Sequence, residues 1–299
     1  MTTTMAQTLP DCIWNAGAEL GEGACWSVRR QALFWVDILG RRLYQYTPAT
    51  GTQREWSFRD TISAVAERQQ GDGLVVLLRR GLAFFDPDTG TVDMCPRPEP
   101  GRLGNRFNDG KCDARGDFWG GSMDFDGIEP SGALYRFDAD GRGRCVVDVR
   151  WPVINGPTWS LDGRTMYLND TSHRQVVAFD VHPVTGQLSN MRNWLRFTSR
   201  DGYPDGMTTD ADGCIWIAHW GGACVTCHDP VTAAELQRIP LPTSHITSVA
   251  FGGPDLRTLF ITSATVGLSD AQLEDEPLAG ALFAIETDTT GLPANLFGG

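Results

Sequence analysis

The amino-acid sequence predicts an all-β protein folded as one six-bladed β-propeller. Three observations carry that reading. A short apolar segment recurs six times, a second strand-like run follows it, and no long stretch keeps the 3.6-residue period of a helix.

The recurring segment is Leu33-Phe34-Trp35-Val36, Leu74-Val75-Val76-Leu77, Phe118-Trp119-Gly120-Gly121, Met166-Tyr167-Leu168-Asn169, Ile215-Trp216-Ile217-Ala218 and Leu259-Phe260-Ile261-Thr262. The copies begin at residues 33, 74, 118, 166, 215 and 259, so the spacing runs from 41 to 49. Turn residues precede several of them, as in Asp72-Gly73, Asp162-Gly163 and Asp212-Gly213. The run that follows is Leu43-Tyr44-Gln45-Tyr46 in the first unit and Leu82-Ala83-Phe84-Phe85 in the second. Leu134-Tyr135-Arg136-Phe137, Val176-Val177-Ala178-Phe179 and Ala281-Leu282-Phe283-Ala284-Ile285 fill the place in later units. These runs are β-branched and aromatic and end at Gly, Pro, Asp or Thr, which is strand composition. A unit of roughly 45 residues with several short strands is a propeller blade. Residues 11–15 are expected to pair with the last blade and close the ring, leaving no exposed edge there. Residues 1–10 read as a disordered tail and residues 11–299 as a single domain.

Bulk composition narrows the function. With 41% hydrophobic and 21% charged residues the chain is ordinary globular material, long enough to bury a substantial core. Its 37 acidic residues against 25 basic ones give a net charge of -12, which argues against a nucleic-acid partner. No run of 18 apolar residues exists to span a membrane, and the first ten residues lack the basic and apolar regions of a signal peptide, so a cytoplasmic location is expected. Eight cysteines, scattered singly, read as reduced and buried.

One further strand precedes each recurring segment and, in a propeller, lines the central channel. Aligning the six copies puts Glu22, Ile62, Asn108, Asn155, Asp205 and Thr247 at equivalent positions. Taken singly, Asn155-Gly156 and Asp205-Gly206 also read as turns. In shared register, radial symmetry makes the side chains converge. Two carboxylates and two amide oxygens at one axis suit a hard divalent cation, which would offset the cost of burying Glu22 and Asp205.

These segments also carry a family resemblance. Gly21-Glu22-Gly23-Ala24-Cys25-Trp26 resembles the GEGPxW segment of the SMP-30/gluconolactonase (regucalcin-like) family, with Ala24 where that family usually has Pro. Asn105-Arg106-Phe107-Asn108-Asp109-Gly110-Lys111 is similar to its NRxNDGK element, and Asn155 to Gly163 and Tyr203-Pro204-Asp205-Gly206 to its later motifs. The stretch from Gly267 to Phe283 is like the tail of bacterial members. The match covers about residues 11 to 290, one motif per blade and in order. The resemblance implies a metal-dependent lactonase acting on a sugar lactone, with Glu22, Asn155 and Asp205 as metal ligands. It places Asn108 beside them, Arg106 against substrate hydroxyls, and a sugar-binding carboxylate at Asp124 or Asp126, of which Asp126 is the expected one. Asp205 is the expected general base as well as a ligand. Ca²⁺ is the expected ion, with Zn²⁺, Mn²⁺ and Fe²⁺ as alternatives.

Several other motifs were weighed. Cys224-Val225-Thr226-Cys227-His228 has the spelling of a haem attachment site, but strand residues three apart face opposite sides. Asn169-Asp170-Thr171 has the form of a glycosylation sequon, without meaning in the cytoplasm. No G-x-S-x-G elbow is present. His219 and Trp220 fit the mouth or a packed edge equally well. Rival readings are an aryl-esterase or phosphotriesterase on the same site, a non-catalytic calcium-binding or docking propeller, and a quinoprotein sugar dehydrogenase.

Overall fold

In the computed structural model, which describes residues 9–299, the strands sort into six antiparallel sheets of four. The expected N-terminal tail lies, up to residue 8, outside the described residues. The six sheets are the blades of a propeller. Their inner strands are Gly21–Ser27, Ile62–Glu67, Asn105–Cys112, Ile154–Trp159, Tyr203–Thr209 and Ile246–Gly252.

Every copy of the recurring apolar segment falls in the second strand of its blade, from Ala32–Asp37 in the first to Thr258–Ser263 in the sixth. Its position explains its composition. A second strand has a neighbouring blade against each face, so Leu33, Phe34, Trp35 and Val36 are all buried and the apolar run does not alternate. Clusters such as Trp119, Leu134, Ile154, Met166 and Leu168 join blades three and four. Each such side chain contributes about 1.5–3 kcal/mol by leaving water. Fourth strands lie at the rim and are polar and exposed, as in Thr52–Ser57, so no apolar repeat marks them.

The ring closes as expected. Asp11–Trp14 pairs with Leu282–Glu286, with Asp11 opposite Ala284 and Trp14 opposite Leu282, and completes blade six from the other end of the chain. Before that last strand, the capped helix Asp270–Asp275 interrupts the blade.

Two blades share a corner device. Asp113 accepts from the Arg115 N–H at 2.8 Å and from the Trp119 indole Nε1 at 2.8 Å. Asp210 accepts from the Cys214 N–H at 2.8 Å and from Trp216 Nε1 at 2.8 Å. In both, an Asp directly after the inner strand fixes the turn and the tryptophan at the second position of the next strand.

The C-terminal segment beyond residue 286 crosses the far end of the channel. Phe297 is fully buried and pairs with Arg68 of blade two, while Asn295 Nδ2 donates to the Cys112 carbonyl at 3.1 Å. Of the cysteines, Cys12 and Cys145 prove exposed on outer strands, Cys214 is half-buried just before a strand and Cys25 is half-buried on an inner strand where it lines the channel; none is in a disulfide among the described residues. Cys224–His228 is the third strand of blade five, and His228 is held by Thr226 Oγ1 and the Ala233 carbonyl. No helix among the described residues is long and apolar enough to cross a membrane.

Candidate metal centre

Each inner strand slips register where the repeat alignment placed its site residue. The shift falls between Glu22 and Cys25, Phe107 and Asp109, Asn155 and Thr158, and Pro204 and Met207. Blades two and six slip at the same point. A β-bulge leaves one residue unpaired and re-aims its side chain. The Asn-Gly and Asp-Gly pairs are therefore bulges inside strands, not turns. Gly23 and Gly156 take left-handed φ angles of +59° and +80°, which glycine adopts without strain.

The re-aimed side chains meet. Arg106 Nη1 donates to Asn108 Oδ1 at 2.6 Å, and Asn108 Nδ2 donates to Asn155 Oδ1 at 2.6 Å. Asn155 Nδ2 donates to Thr171 Oγ1 at 3.0 Å, and Thr171 Oγ1 donates to the Pro204 carbonyl at 2.9 Å. Glu22 and Asp205 hydrogen-bond to each other although blade six separates their blades. Glu22, Asn155 and Asp205 are 3%, 3% and 4% exposed, so they line a shielded channel.

Burial pushes the Glu22 carboxyl up to about 8, reinforced by the charge of Asp109. Burial and then the charge of Glu22 hold Asp205 well above the usual carboxylate range. Burial draws Arg106 down to about 10, against the pull of Glu22 and Asp205, so it stays cationic near neutrality. Arg106 faces this carboxylate pair, yet Asp205 Oδ1 stays buried without a hydrogen-bond partner. An orphaned buried carboxylate oxygen beside two more hard oxygen donors fits a divalent cation.

Of the expected substrate-side residues, Arg106 and Asn108 stand at the cage. Arg106 is 5% exposed and its Nε has no partner, so a donor remains for an incoming ligand. Asp126 does not join them. It is exposed on the turn after the second strand of blade three, and Asp124 Oδ2 accepts the Ile128 and Glu129 N–H groups of that turn. His219 is fully buried between Thr226 Oγ1 and the Asp201 carbonyl, so it packs the blade; Trp220 stacks on His245 at 4.0 Å.

Four residues of the site escaped the sequence reading. Asp109 lies behind the cage, taking the Gly110 N–H at 2.6 Å and the Gly156 N–H at 2.8 Å, and burial raises its carboxyl to about 6. Lys111 is the only lysine of the chain, and it donates to the Met207 carbonyl at 2.5 Å inside the channel. Asn169 Nδ2 holds the Asp205 carbonyl, and Thr171 orients Asn155. The apparent sequon is thus a support for the ligands. Its signal was position: a polar Asn-Asp-Thr run ends an otherwise apolar second strand. A cavity of about 870 Å³ lies at the other end of the channel, under the C-terminal segment; it touches Gly23 and Asp109 but none of the candidate ligands. The chemistry, not the volume, singles out the candidate centre.

The chain is similar to known proteins over most of its length. The sequence model of the SMP-30/Gluconolactonase/LRE-like region matches residues 20–265. L-arabinolactonase of Azospirillum brasilense is 36% identical over 94% of this chain and 92% of its own. The 6-deoxy-6-sulfogluconolactonase of Pseudomonas putida is 36% identical over 99% of this chain and 100% of its own. The structure of regucalcin from Agrobacterium tumefaciens str. C58, a calcium-binding protein, superposes with a TM-score of 0.91 at 26% identity, covering 97% of each chain.

Proposed function

The chain belongs to the SMP-30/gluconolactonase/LRE family and hydrolyses lactones, and we propose that its substrate is a sugar lactone, opened to the aldonic acid with one divalent cation held by Glu22, Asn155 and Asp205. The observation that carries the metal is the orphaned Asp205 Oδ1 beside a second buried carboxylate. Ca²⁺ is the ion the oxygen donors and the calcium-binding neighbour favour. A cytoplasmic location and a single domain over residues 11–299 belong to the same proposal.

A lactone is a cyclic ester, and attack by water places negative charge on its carbonyl oxygen. The cation, when bound, polarises that carbonyl and makes water a better nucleophile. The chain's residues supply the rest. Asp205 accepts the proton of the attacking water and returns it to the ring oxygen as the acyl C–O bond breaks, so the ring opens to the hydroxy acid. Arg106, fixed through Nη1 by Asn108 and the Phe107 carbonyl, turns its remaining donors to the ring hydroxyls. Asn108 carries that orientation on to Asn155, so substrate grip and ligand position are tied. Asp126 is assigned to the outer hydroxyls of the sugar.

The test is proton release from a panel of aldonolactones by chelated protein and after adding back Ca²⁺, Zn²⁺ or Mn²⁺. Turnover that returns with one of these ions supports the reading. Full turnover in protein shown free of metal overturns the metal's role, and inertness to every lactone under all metals overturns the substrate class.

A further inference from the structure

We infer that the mouth carries an anion subsite on blades two and three, built from Arg79, Arg80 and Arg97, and that the preferred lactone bears an anionic group such as phosphate, sulfonate or carboxylate far from its carbonyl. The inference rests on the lactonase reading of the cage.

The three arginines line one narrow cleft of about 20 Å³ together with Glu99, Arg102 and Asn105. Two of the cleft's charged groups are already engaged. Arg102 donates to the Ser131 carbonyl at 2.5 Å and to Asp148 at 3.0 Å. Glu99 Oε2 accepts from Ser122 Oγ at 3.1 Å and from the Tyr135 hydroxyl at 2.9 Å. Among the described residues, no carboxylate lies within ion-pair distance of Arg79, Arg80 or Arg97, and Arg80 and Arg97 make no side-chain hydrogen bond. The chain has 37 acidic residues for 25 basic ones, so partners are abundant. Arg79 Nη2 donates to the Leu103 carbonyl at 3.4 Å, but three guanidinium groups without a carboxylate partner around one cleft repel one another, and an anion offsets that repulsion while matching their planar donor forks.

The cleft is tied to the cage. Arg79 Nε donates to the carbonyl of Asn105, the residue before Arg106, at 3.4 Å. The Arg79 guanidinium lies 4.9 Å from the centre of the Phe125 ring, and that of Arg106 lies 6.0 Å from the same centre. One aromatic ring thus separates the buried arginine at the metal from the arginines of the cleft. A lactone with its ring hydroxyls on Arg106 can extend its tail past Phe125 toward Arg79. Arg79 and Arg80 are half-buried and Arg97 is exposed; the two half-buried guanidinium groups bind an anion more strongly than a fully solvated one, because less water screens them.

The experiment compares kcat/KM for glucono-δ-lactone and its 6-phosphate, in the metal-loaded protein and in an Arg80→Ala/Arg97→Ala double variant. The wild type is expected to favour the phosphorylated lactone at least tenfold, with the preference shrinking as salt rises. The variant should reduce that preference ten- to a hundredfold. Calorimetric titration with 6-phosphogluconate and with inorganic phosphate adds a readout free of turnover; the sugar phosphate should bind the wild type and be weakened in the variant. Equal hydrolysis of both lactones with an unchanged ratio in the variant overturns the inference. Tight binding of inorganic phosphate without preference for the phosphorylated lactone makes the cleft a free-anion site and overturns it too. If neither lactone is hydrolysed, the lactonase reading falls, and the titration still decides whether the arginines hold the sugar phosphate.

Discussion

Asp205 and Asp210 stand five residues apart at opposite ends of one strand, equally hidden from water, with opposite fates. Asp210 forms with Cys214 and Cys227 a group whose ligand atoms lie within 4.8 Å of one another, a metal site by composition. Yet its Oδ1 takes the N–H groups of Asp212 and Cys214, and its Oδ2 takes the Trp216 indole. Burial also raises the thiols of Cys214 and Cys227, which disfavours the thiolate a metal needs. Asp205 has no donor at Oδ1, and the charge that acts most on it is another carboxylate, Glu22. Residue type therefore does not separate a structural corner from a reactive centre. Hydrogen-bond supply does: a saturated carboxylate holds the fold, and a starved one waits for a ligand.

Exchanging each for alanine gives the sharpest contrast. Asp205→Ala should cut turnover by a thousandfold or more, since it removes ligand and base together. It should leave melting unchanged or raised in metal-free protein, because an unpaired buried carboxylate leaves the core. Asp210→Ala should do the reverse. It strands the Trp216 Nε1 and two backbone N–H groups, and a buried unsatisfied donor costs about 1–3 kcal/mol, while the surviving folded protein keeps its turnover per molecule. Calorimetry and initial rates on both variants decide; if both lose stability alike and keep activity alike, the distinction collapses.

Metal removal comes next. The folded, metal-free protein keeps Glu22 protonated up to about 8, whereas the unfolded chain releases that proton near 4.5. The folded state therefore binds more protons in that window, and stability falls as pH rises through it. A bound cation replaces the proton, so the loss should vanish with saturating metal, which adds about 2.7 kcal/mol at a hundredfold excess over its Kd. Melting curves at pH 5 and pH 8, with and without chelator, should differ mainly at pH 8. Coincident curves at pH 8 would remove the cation from the cage.

Arg106→Ala should have a smaller and selective effect. Losing a charge-assisted hydrogen bond costs about 1.5–3 kcal/mol, roughly ten- to a hundredfold in kcat/KM. The loss should appear with an aldonolactone and nearly disappear with unsubstituted valerolactone. Equal losses on both would make Arg106 an oxyanion donor or a structural support.

The fold was legible because propeller blades repeat, and each second strand, covered on both faces, writes its burial as an unbroken apolar run. The candidate ligands were legible for the same reason: Glu22, Asn155 and Asp205 stand at equivalent points of repeated strands, and only their shared register told them from turn residues. What register does not carry stayed hidden. Asn169 and Thr171 reach the cage from the end of a second strand, across a junction between blades that no spacing records. Lys111 and Asp109 lie past the bulge, where one extra residue breaks the alternation that would have aimed them. The C-terminal segment under the channel belongs to no repeat, so its buried Phe297 had no counterpart to align with.

The smallest expected effect separates the interior of the site from its rim. Arg106 and Asp126 were both expected to touch the sugar, but one is shielded beside the candidate ligands and the other is exposed on a turn. Water competes for every hydrogen bond that Asp126 offers, so its net contribution should be about 0.5–1.5 kcal/mol. Asp126→Ala should then raise KM for an aldonolactone about two- to tenfold and leave kcat in place, because the groups at the reacting carbonyl are untouched. Asp124→Ala is the companion variant, since Asp124 holds the same turn through the Ile128 and Glu129 N–H groups. It should raise KM by loosening that turn, and protease nicking near residue 127 should increase with it. A KM change in Asp124→Ala without increased nicking, and none in Asp126→Ala, would hand the sugar contact to Asp124. No change in either variant would leave recognition to the shielded arginine alone.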